Sequence, residues 1–162
     1  MAKSHRFFLC PPDGGPLIGI SGLKPAREAA QRLGNGTMIV DTMAQTYRPM
    51  LQECRDGELV YAGFGGWDTG KFGVNRDFIE SIKKGNVLIT RAFLAKGANV
   101  NAVDGNNGPA LHWAVGGGKP EIVQLLLDQG ADISATDAYG QTALELARKK
   151  GRQEIIDVLT QS

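Results

Sequence analysis

The sequence predicts an α+β protein: a small N-terminal domain of strands and one helix over residues 1–73, then an all-α solenoid of helical repeats over 74–162. Three observations predict this division. The C-terminal half repeats at a fixed interval, which links Gly85 to Gly118 and Gly118 to Gly151, and its helical stretches are each closed by a glycine. Positions 1–73 show no repeat but hold twelve of the 22 glycines. A fixed period of about 20–50 residues is typical of stacked-repeat architectures.

Composition and charge argue against several classes of partner. Hydrophobic residues make up 42% and charged residues 22% of the chain, as in ordinary globular proteins. The net charge of +1 is not concentrated in either half, so no nucleic-acid partner is expected. No apolar run approaches the roughly 20 residues that span a membrane, and the apolar stretch near the N-terminus is too short for a signal peptide. Cys10 and Cys54 lack metal-ligand spacing and are expected as reduced thiols. We therefore expect a cytoplasmic protein with no membrane partner, metal or cofactor.

The N-terminal segment predicts one helix packed against an antiparallel sheet. Lys24–Leu33 carries apolar residues at helical spacing, and Ser21 is a candidate N-cap. The dipeptide Asp56-Gly57 is typical of a β-hairpin turn. About 70 residues is marginal for an independent core, so this domain should lean on the first repeat. Strands are predicted at 6–10, 17–20, 37–41, 46–54 and 58–64.

Residues 65–72 read Gly-Gly-Trp-Asp-Thr-Gly-Lys-Phe, which matches the phosphate-binding pattern G-x-x-x-x-G-K-[ST] except at Phe72. Such a loop needs a hydroxyl for magnesium, an immediate helix and a surrounding parallel sheet. The sequence offers none of the three. We interpret the stretch as the irregular leading edge of the first repeat, where Trp67 and Phe72 would join the N-terminal domain to that repeat.

The C-terminal half predicts paired helices followed by an extended, Asp-containing connection. A glycine just past a helix can adopt the left-handed conformation that caps its last carbonyls. Pro109 and Pro120 stand where helices begin, which suits their fixed φ. The predicted helices span 78–84, 87–96, 109–117, 120–129 and 142–150, closed by Gly85, Gly97, Gly118, Gly130 and Gly151. The units cover about 74–103, 104–136 and 137–162.

Two repeated motifs carry a family resemblance. Gly-Ala-Asn-Val-Asn-Ala-Val-Asp (97–104) recurs as Gly-Ala-Asp-Ile-Ser-Ala-Thr-Asp (130–137), and Ala-Leu-His-Trp-Ala (110–114) recurs as Ala-Leu-Glu-Leu-Ala (143–147). The region resembles ankyrin repeats. It departs from that family where Asn107-Gly108-Pro109-Ala110 replaces the usual turn and Thr-Pro start, which predicts an altered turn. Glu145 replaces a histidine, and the first unit lacks the Thr-Pro-Leu-His element.

Catalytic candidates are few, and no enzyme is expected. Cys10 or Cys54 with His5 could form a nucleophile–base pair, but nothing in the sequence places them together. The resemblance gives His112 a structural role, bracing the turn between units. The cluster Arg148-Lys149-Lys150-Gly-Arg152 either complements a helix dipole or binds a phosphate or an acid. The carboxylates of Asp41, Glu53, Asp56 and Glu58 are expected at turns and strand ends as solvated charges.

The resemblance implies a binding surface, because ankyrin repeats contact protein partners through hairpin tips and first helices that form a concave face. Trp113 and Tyr139 are expected to be its anchors, since aromatic residues are enriched among binding hot spots. The alternative is that Trp113 packs on Gly116 and Gly117 within the core. The positions carried over are Glu80, Lys83, Gly105, Asn106, Trp113, Gly116, Ala138, Tyr139, Gln141, Leu146 and Lys149.

The function expected from the sequence is a non-enzymatic protein–protein interaction module. By analogy of overall build, it would be an inhibitor or immunity-type protein that occludes a toxin or an enzyme. An alternative stays open: residues 1–73 form a small enzyme or ligand-binding domain, and the repeats select its target.

Overall fold

The computed structural model of the chain describes residues 5–43, 51–62 and 73–162. The polypeptide forms two compact units. The described residues up to Val74, together with Arg91–Gly97, make the first unit. Asn75–Thr90 and Ala98–Ser162 make the second.

The first unit is a five-stranded antiparallel sheet with one helix. The strand order is β2-β1-β3-β4-β5, and β1 pairs with both β2 and β3. Phe7 lies opposite Ile20 on one side and opposite Asp41 on the other. The elements are β1 Phe7–Cys10, β2 Ile18–Ile20, α1 Leu23–Leu33, β3 Met38–Asp41, β4 Leu51–Arg55 and β5 Glu58–Tyr61. The predicted antiparallel sheet with one packed helix is confirmed.

Side chains alternate between the two faces of this sheet, and both faces are buried. On one face Phe7, Leu9, Ile39 and Cys54 cluster with Ala26 and Ala30 of α1. On the opposite face Phe8, Cys10, Val40 and Leu51 are also buried. Arg91 and Lys96, from the segment 91–97, donate to the Gly15 carbonyl oxygen and the Thr42 hydroxyl, each at 3.0 Å. This segment therefore belongs to the packing of the first unit.

Two local predictions in the first unit had different outcomes. Asp56 and Gly57 have φ values of 50° and 79°, as a two-residue hairpin between β4 and β5 requires, so that turn is confirmed. The N-cap prediction for Ser21 is wrong. Gly22 is the N-cap of α1 and makes no side-chain cap bond, while the Ser21 hydroxyl lies 3.3 Å from His5 Nδ1.

The second unit is built from helix pairs, and α3 contributes residues to both units. The helix α4 packs against α5 and α6, and α7 packs against α5 and α6. The interior holds Phe78, Ile82, Ile89, Val115, Ile122, Leu126 and Ile155. The helices are α2 Val74–Lys84, α3 Val87–Ala95, α4 Ala110–Gly117, α5 Pro120–Asp128, α6 Ala143–Lys149 and α7 Gln153–Thr160.

The glycine positions that end the helices behave as predicted, because all five have positive φ, between 66° and 107°. The expected alteration of the turn before the second unit is wrong. Asn107 takes the left-handed conformation at φ 57°, as Gly140 does at 74° one period later. Asparagine tolerates the left-handed region, so the turn forms without a glycine at this position. The stretch 65–72, with Trp67, Lys71 and Phe72, lies outside the described residues.

Candidate functional site

A groove in the second unit collects most of the predicted binding positions. We call it the hairpin groove, because the hairpin tips at 104–108 and 137–141 border it together with α4 and α6. Its volume is about 890 Å³. It is lined by Lys83, Asp104, Asn106, Gly108, His112, Trp113, Gly116, Gly117, Asp137, Ala138, Tyr139, Leu146 and Lys150.

Each hairpin tip is organised by its first aspartate. Asp104 Oδ1 accepts from the backbone N–H groups of Asn106 and Gly108, at 3.0 and 2.8 Å. Asp137 Oδ1 accepts in the same way from Tyr139 and Gln141, at 2.9 and 3.0 Å. Because these bonds tie side chain to backbone within one turn, they fix the direction in which each tip presents its side chains.

Trp113 is held at the rim of the groove by two charged neighbours. Its Nε1–H donates to Asp104 Oδ2 at 2.9 Å, and Lys83 Nζ lies 4.2 Å from the centre of its ring. Lys83 also forms ion pairs with Asp104 at 3.5 Å and with Glu80 at 3.6 Å. The indole remains 37% exposed. A Cβ placed on Gly116 or Gly117 would have no atom within 4 Å, so there is open space beside both glycines.

The Asp104 carboxylate is stabilised in its ionised form. Partial burial raises its pKa, but hydrogen bonds from the Gly108 and Asn106 backbone, the charge of Lys83 and the Trp113 indole together lower that pKa below its ordinary value. The Asp104 carboxylate is therefore ionised at neutral pH. Its bonds to Trp113 and to the hairpin weaken only when the pH falls below the ordinary aspartate pKa of about 4.

Tyr139 is the more exposed of the two large aromatic residues that line the groove. It is 88% exposed at the second hairpin tip, where the bond from its own backbone N–H to Asp137 fixes the main chain. Leu146 of α6 lines the groove beside it and is half-buried. An aromatic ring on a fixed backbone loses little conformational entropy when it binds.

His112 lies beneath the groove as a structural residue. Its Nε2 is 2.7 Å from the Gln141 carbonyl oxygen, so it joins α4 to the next hairpin. The predicted bracing contact is present. Its buried Nδ1 has no hydrogen-bond partner.

The basic residues of the cluster 148–152, at the end of α6, lie in different environments. Arg152 Nη2 donates to the Gly116 carbonyl oxygen at 3.4 Å and so approaches the carboxyl end of α4. Lys150 lines the groove and Lys149 is exposed beside it. Lys149 is close enough to Asp137 for its charge to help lower the pKa of that carboxyl, after the Gln141 and Tyr139 backbone bonds.

Six of the nine principal predicted positions line the hairpin groove, namely Lys83, Asn106, Trp113, Gly116, Tyr139 and Leu146. The other three border it. Glu80 pairs with Lys83, Gln141 binds His112 through its backbone, and Lys149 is exposed next to Lys150. The sequence interpretation missed Asp104, Asp137 and Gly108, and it named Lys150 only within the basic cluster at the end of α6. The aspartates could have been found, because they lie one repeat period apart at the start of each hairpin.

The first unit does not assemble the catalytic pairs considered from the sequence. His5 is hydrogen-bonded to Ser21, and the Cys10 thiol donates to the Pro11 carbonyl oxygen at 3.6 Å. Cys54 is fully buried.

The four carboxylates considered from the sequence are solvent-accessible or paired rather than clustered. Asp41 accepts two bonds from Arg6, at 2.8 and 2.7 Å, and Glu53 pairs with Arg55 at 2.7 Å. Asp56 accepts from Asn35 at 3.1 Å. Glu58 is exposed.

A small cleft of about 340 Å³ lies beside the start of α1, lined by Arg6, Phe7, Ser21, Gly22, Leu23, Arg27, Asp41 and Gln52. Across residues 5–43, 51–62 and 73–162, no three His, Cys, Asp or Glu side chains are grouped to hold a metal ion. Within the same ranges, no helix is long and apolar enough to cross a membrane.

Comparison with known proteins agrees with the repeat pattern. A family model described as ankyrin repeats matches residues 78–162 with three copies. No curated protein sequence matches the chain.

Proposed function

Because the chain belongs to the ankyrin-repeat family, whose repeats are generally protein–protein interaction modules, we propose that it binds a partner protein through the hairpin groove. Binding is non-enzymatic and works by complementarity of a preformed surface. Trp113 and Tyr139 are the anchors, and Glu80, Gln141 and Lys149 extend the contact at the rim.

The single observation that carries this proposal is the position of Tyr139. A tyrosine that is 88% exposed on a hydrogen-bonded turn is not part of the core, yet it lines the same groove as Trp113 and Leu146. Tyrosine and tryptophan are enriched among the residues that dominate binding energy.

An inhibitor or immunity-type role is one form of this function. A groove that is already organised by Asp104 and Asp137 suits tight occlusion of a partner's surface, since little has to be ordered on binding. Both cysteines are free thiols, which favours a reducing compartment and a cytoplasmic protein.

A second candidate function belongs to the first unit, and the cleft beside α1 is the observation in its favour. There the unit would bind a small ligand while the repeats select its target. Arg6 is already held by Asp41, so the cleft offers mainly the exposed Arg27 as a charged contact. A ligand-specific thermal shift of the intact chain that is lost in Arg27→Ala would support this function.

The interaction proposal is tested by a double variant. The intact chain is used to capture its partner, and the affinity for that partner is then measured with Trp113→Ala, Tyr139→Ala. Two anchors of about 2 kcal/mol each, together about 4 kcal/mol, predict a loss of roughly 1,000-fold.

The matched control is Tyr61→Ala, which removes another exposed tyrosine, 57% exposed, from β5 of the first unit. It should change the affinity less than about twofold. Unchanged binding by a folded double variant, as judged by circular dichroism, would refute the assignment of the anchors.

A further inference from the structure

The acidic groups of the hairpin groove are already engaged inside the protein. Asp104 accepts from two backbone N–H groups and from the Trp113 indole, so its lone pairs are largely used. Asp137 accepts from two backbone N–H groups through one of its oxygens. Both carboxylates are therefore committed, wholly or in part, to holding the hairpin turns.

Two ammonium groups at the end of α6 are less engaged. In the described part of the chain, Lys149 and Lys150 make no hydrogen bond and no ion pair, and both are exposed, while the charge of Lys149 acts on Asp137 without a direct contact. Each carries three donors. By contrast, Lys83 is already engaged by Asp104, Glu80 and the Trp113 ring.

The groove also has aromatic and aliphatic lining. Tyr139, Leu146 and two glycines of α4 line it together with Trp113 and Lys150. A partner that fills the groove therefore meets aromatic and aliphatic surface together with ammonium groups that have open donors.

We propose that the groove accepts a segment of a protein partner in which a large apolar side chain is flanked by aspartate or glutamate, with the apolar group against Trp113, Tyr139 and Leu146 and the carboxylates on Lys149 and Lys150. This inference rests on the proposed function and names its partner chemistry. Charge complementarity of this kind speeds association and rejects basic segments, because like charges at the α6 end would be desolvated together.

The test uses a displayed library of random peptides as the probe, selected on the intact chain and counter-selected on Trp113→Ala, Tyr139→Ala. The expected result is enrichment of peptides with a large apolar residue next to acidic residues. Replacing those acids by their amides should weaken binding about tenfold or more, and raised salt should weaken the acidic peptide more than its amide form.

Charge reversal on the protein provides the matched comparison. Lys149→Glu, Lys150→Glu should lower the affinity for the enriched acidic peptide about tenfold or more. Lys24→Glu, Lys84→Glu makes the same charge change at exposed positions outside the groove and should change it less than about threefold.

The outcomes separate the two proposals. Peptides that need Trp113 and Tyr139 but are neutral, basic or phosphate-dependent would overturn the acidic-partner inference and leave the proposed function standing. A library in which no peptide distinguishes the chain from the double anchor variant would count against both.

Discussion

At the scale of single residues, the second and third repeats differ at one helix N-terminus. Thr142 caps α6, because its Oγ1 accepts from the Glu145 backbone N–H at 3.3 Å while Glu145 Oε2 accepts from the Thr142 backbone at 2.7 Å. One period earlier Pro109 has nearly the same backbone angles but no hydroxyl. His112, at the position of Glu145, is left with an unpaired buried Nδ1.

This difference predicts that Pro109→Thr is more stable than Pro109→Ala by about 1–2 kcal/mol. The threonine hydroxyl would cap α4 and lie near His112 Nδ1, as Thr142 does for Glu145. Both variants lose the stiffness of proline in the unfolded chain, so their difference reports the hydroxyl and the methyl group that threonine adds. Urea unfolding of the two variants measures it, and equal unfolding free energies would contradict the capping argument.

The residue scale also shows what the sequence could predict. His112 was correctly placed, because its role depends on one contact repeated throughout the family. The Trp113 network was not predicted, since Lys83 lies on α2 and Asp104 in the hairpin before α4. Only stacking of the repeats brings the three side chains together.

At the scale of elements, the loops after α2 and α4 share one arrangement. Gly118 ends α4 at φ 68°, and a Cβ there would lie 2.5 Å from Arg152 Nη1. Gly85 ends α2 at φ 73°, and a Cβ there would lie 3.1 Å from Lys119 Cε. Lys119 and Arg152 are one repeat period apart, so a cation from each unit covers the glycine of the unit before it. These cations also lie near the carboxyl ends of the helices, where positive charge is favourable.

The neighbouring glycines of α4 give a matched pair of substitutions. Gly118→Ala should destabilise the protein by about 1–2 kcal/mol, because alanine is strained in the left-handed conformation. Gly116→Ala should stabilise it by about 0.5–1 kcal/mol, since the residue lies within the helix and its added Cβ would meet nothing within 4 Å. Thermal or urea unfolding tests both, and a destabilised Gly116→Ala would contradict this description of α4.

Element boundaries could be predicted where backbone chemistry imposes them. The five helix-ending glycines and the Asp56-Gly57 hairpin were predictable, because few residues tolerate positive φ. Ser21 was wrong as a cap, because its hydroxyl has a competing partner in His5, on the far side of the turn that joins β1 to β2. Such a contact depends on the pairing of these two strands and has no local signature.

At the scale of the whole molecule, the two compact units do not follow the order of the chain. Arg91–Gly97 follow the start of the repeats in sequence but belong to the first unit, where Arg91 and Lys96 bond to Gly15 and Thr42. The division into domains at residue 73 remains a proposal. The membership of Arg91–Gly97 in the first unit could not be predicted from the sequence, because the repeat period shows only how the repeats resemble one another.

The most direct test of the central claim is a binding footprint on the intact, ¹⁵N-labelled chain, titrated with the partner that it captures. The account predicts that the indole N–H signal of Trp113, assigned by its loss in Trp113→Phe, shifts or broadens together with the amides of Asn106 and Tyr139. The amides of Gln124 and Asp128, on the surface formed by α5 and α7, should stay in place. Perturbation of the α5 and α7 amides with an unchanged Trp113 indole would contradict it.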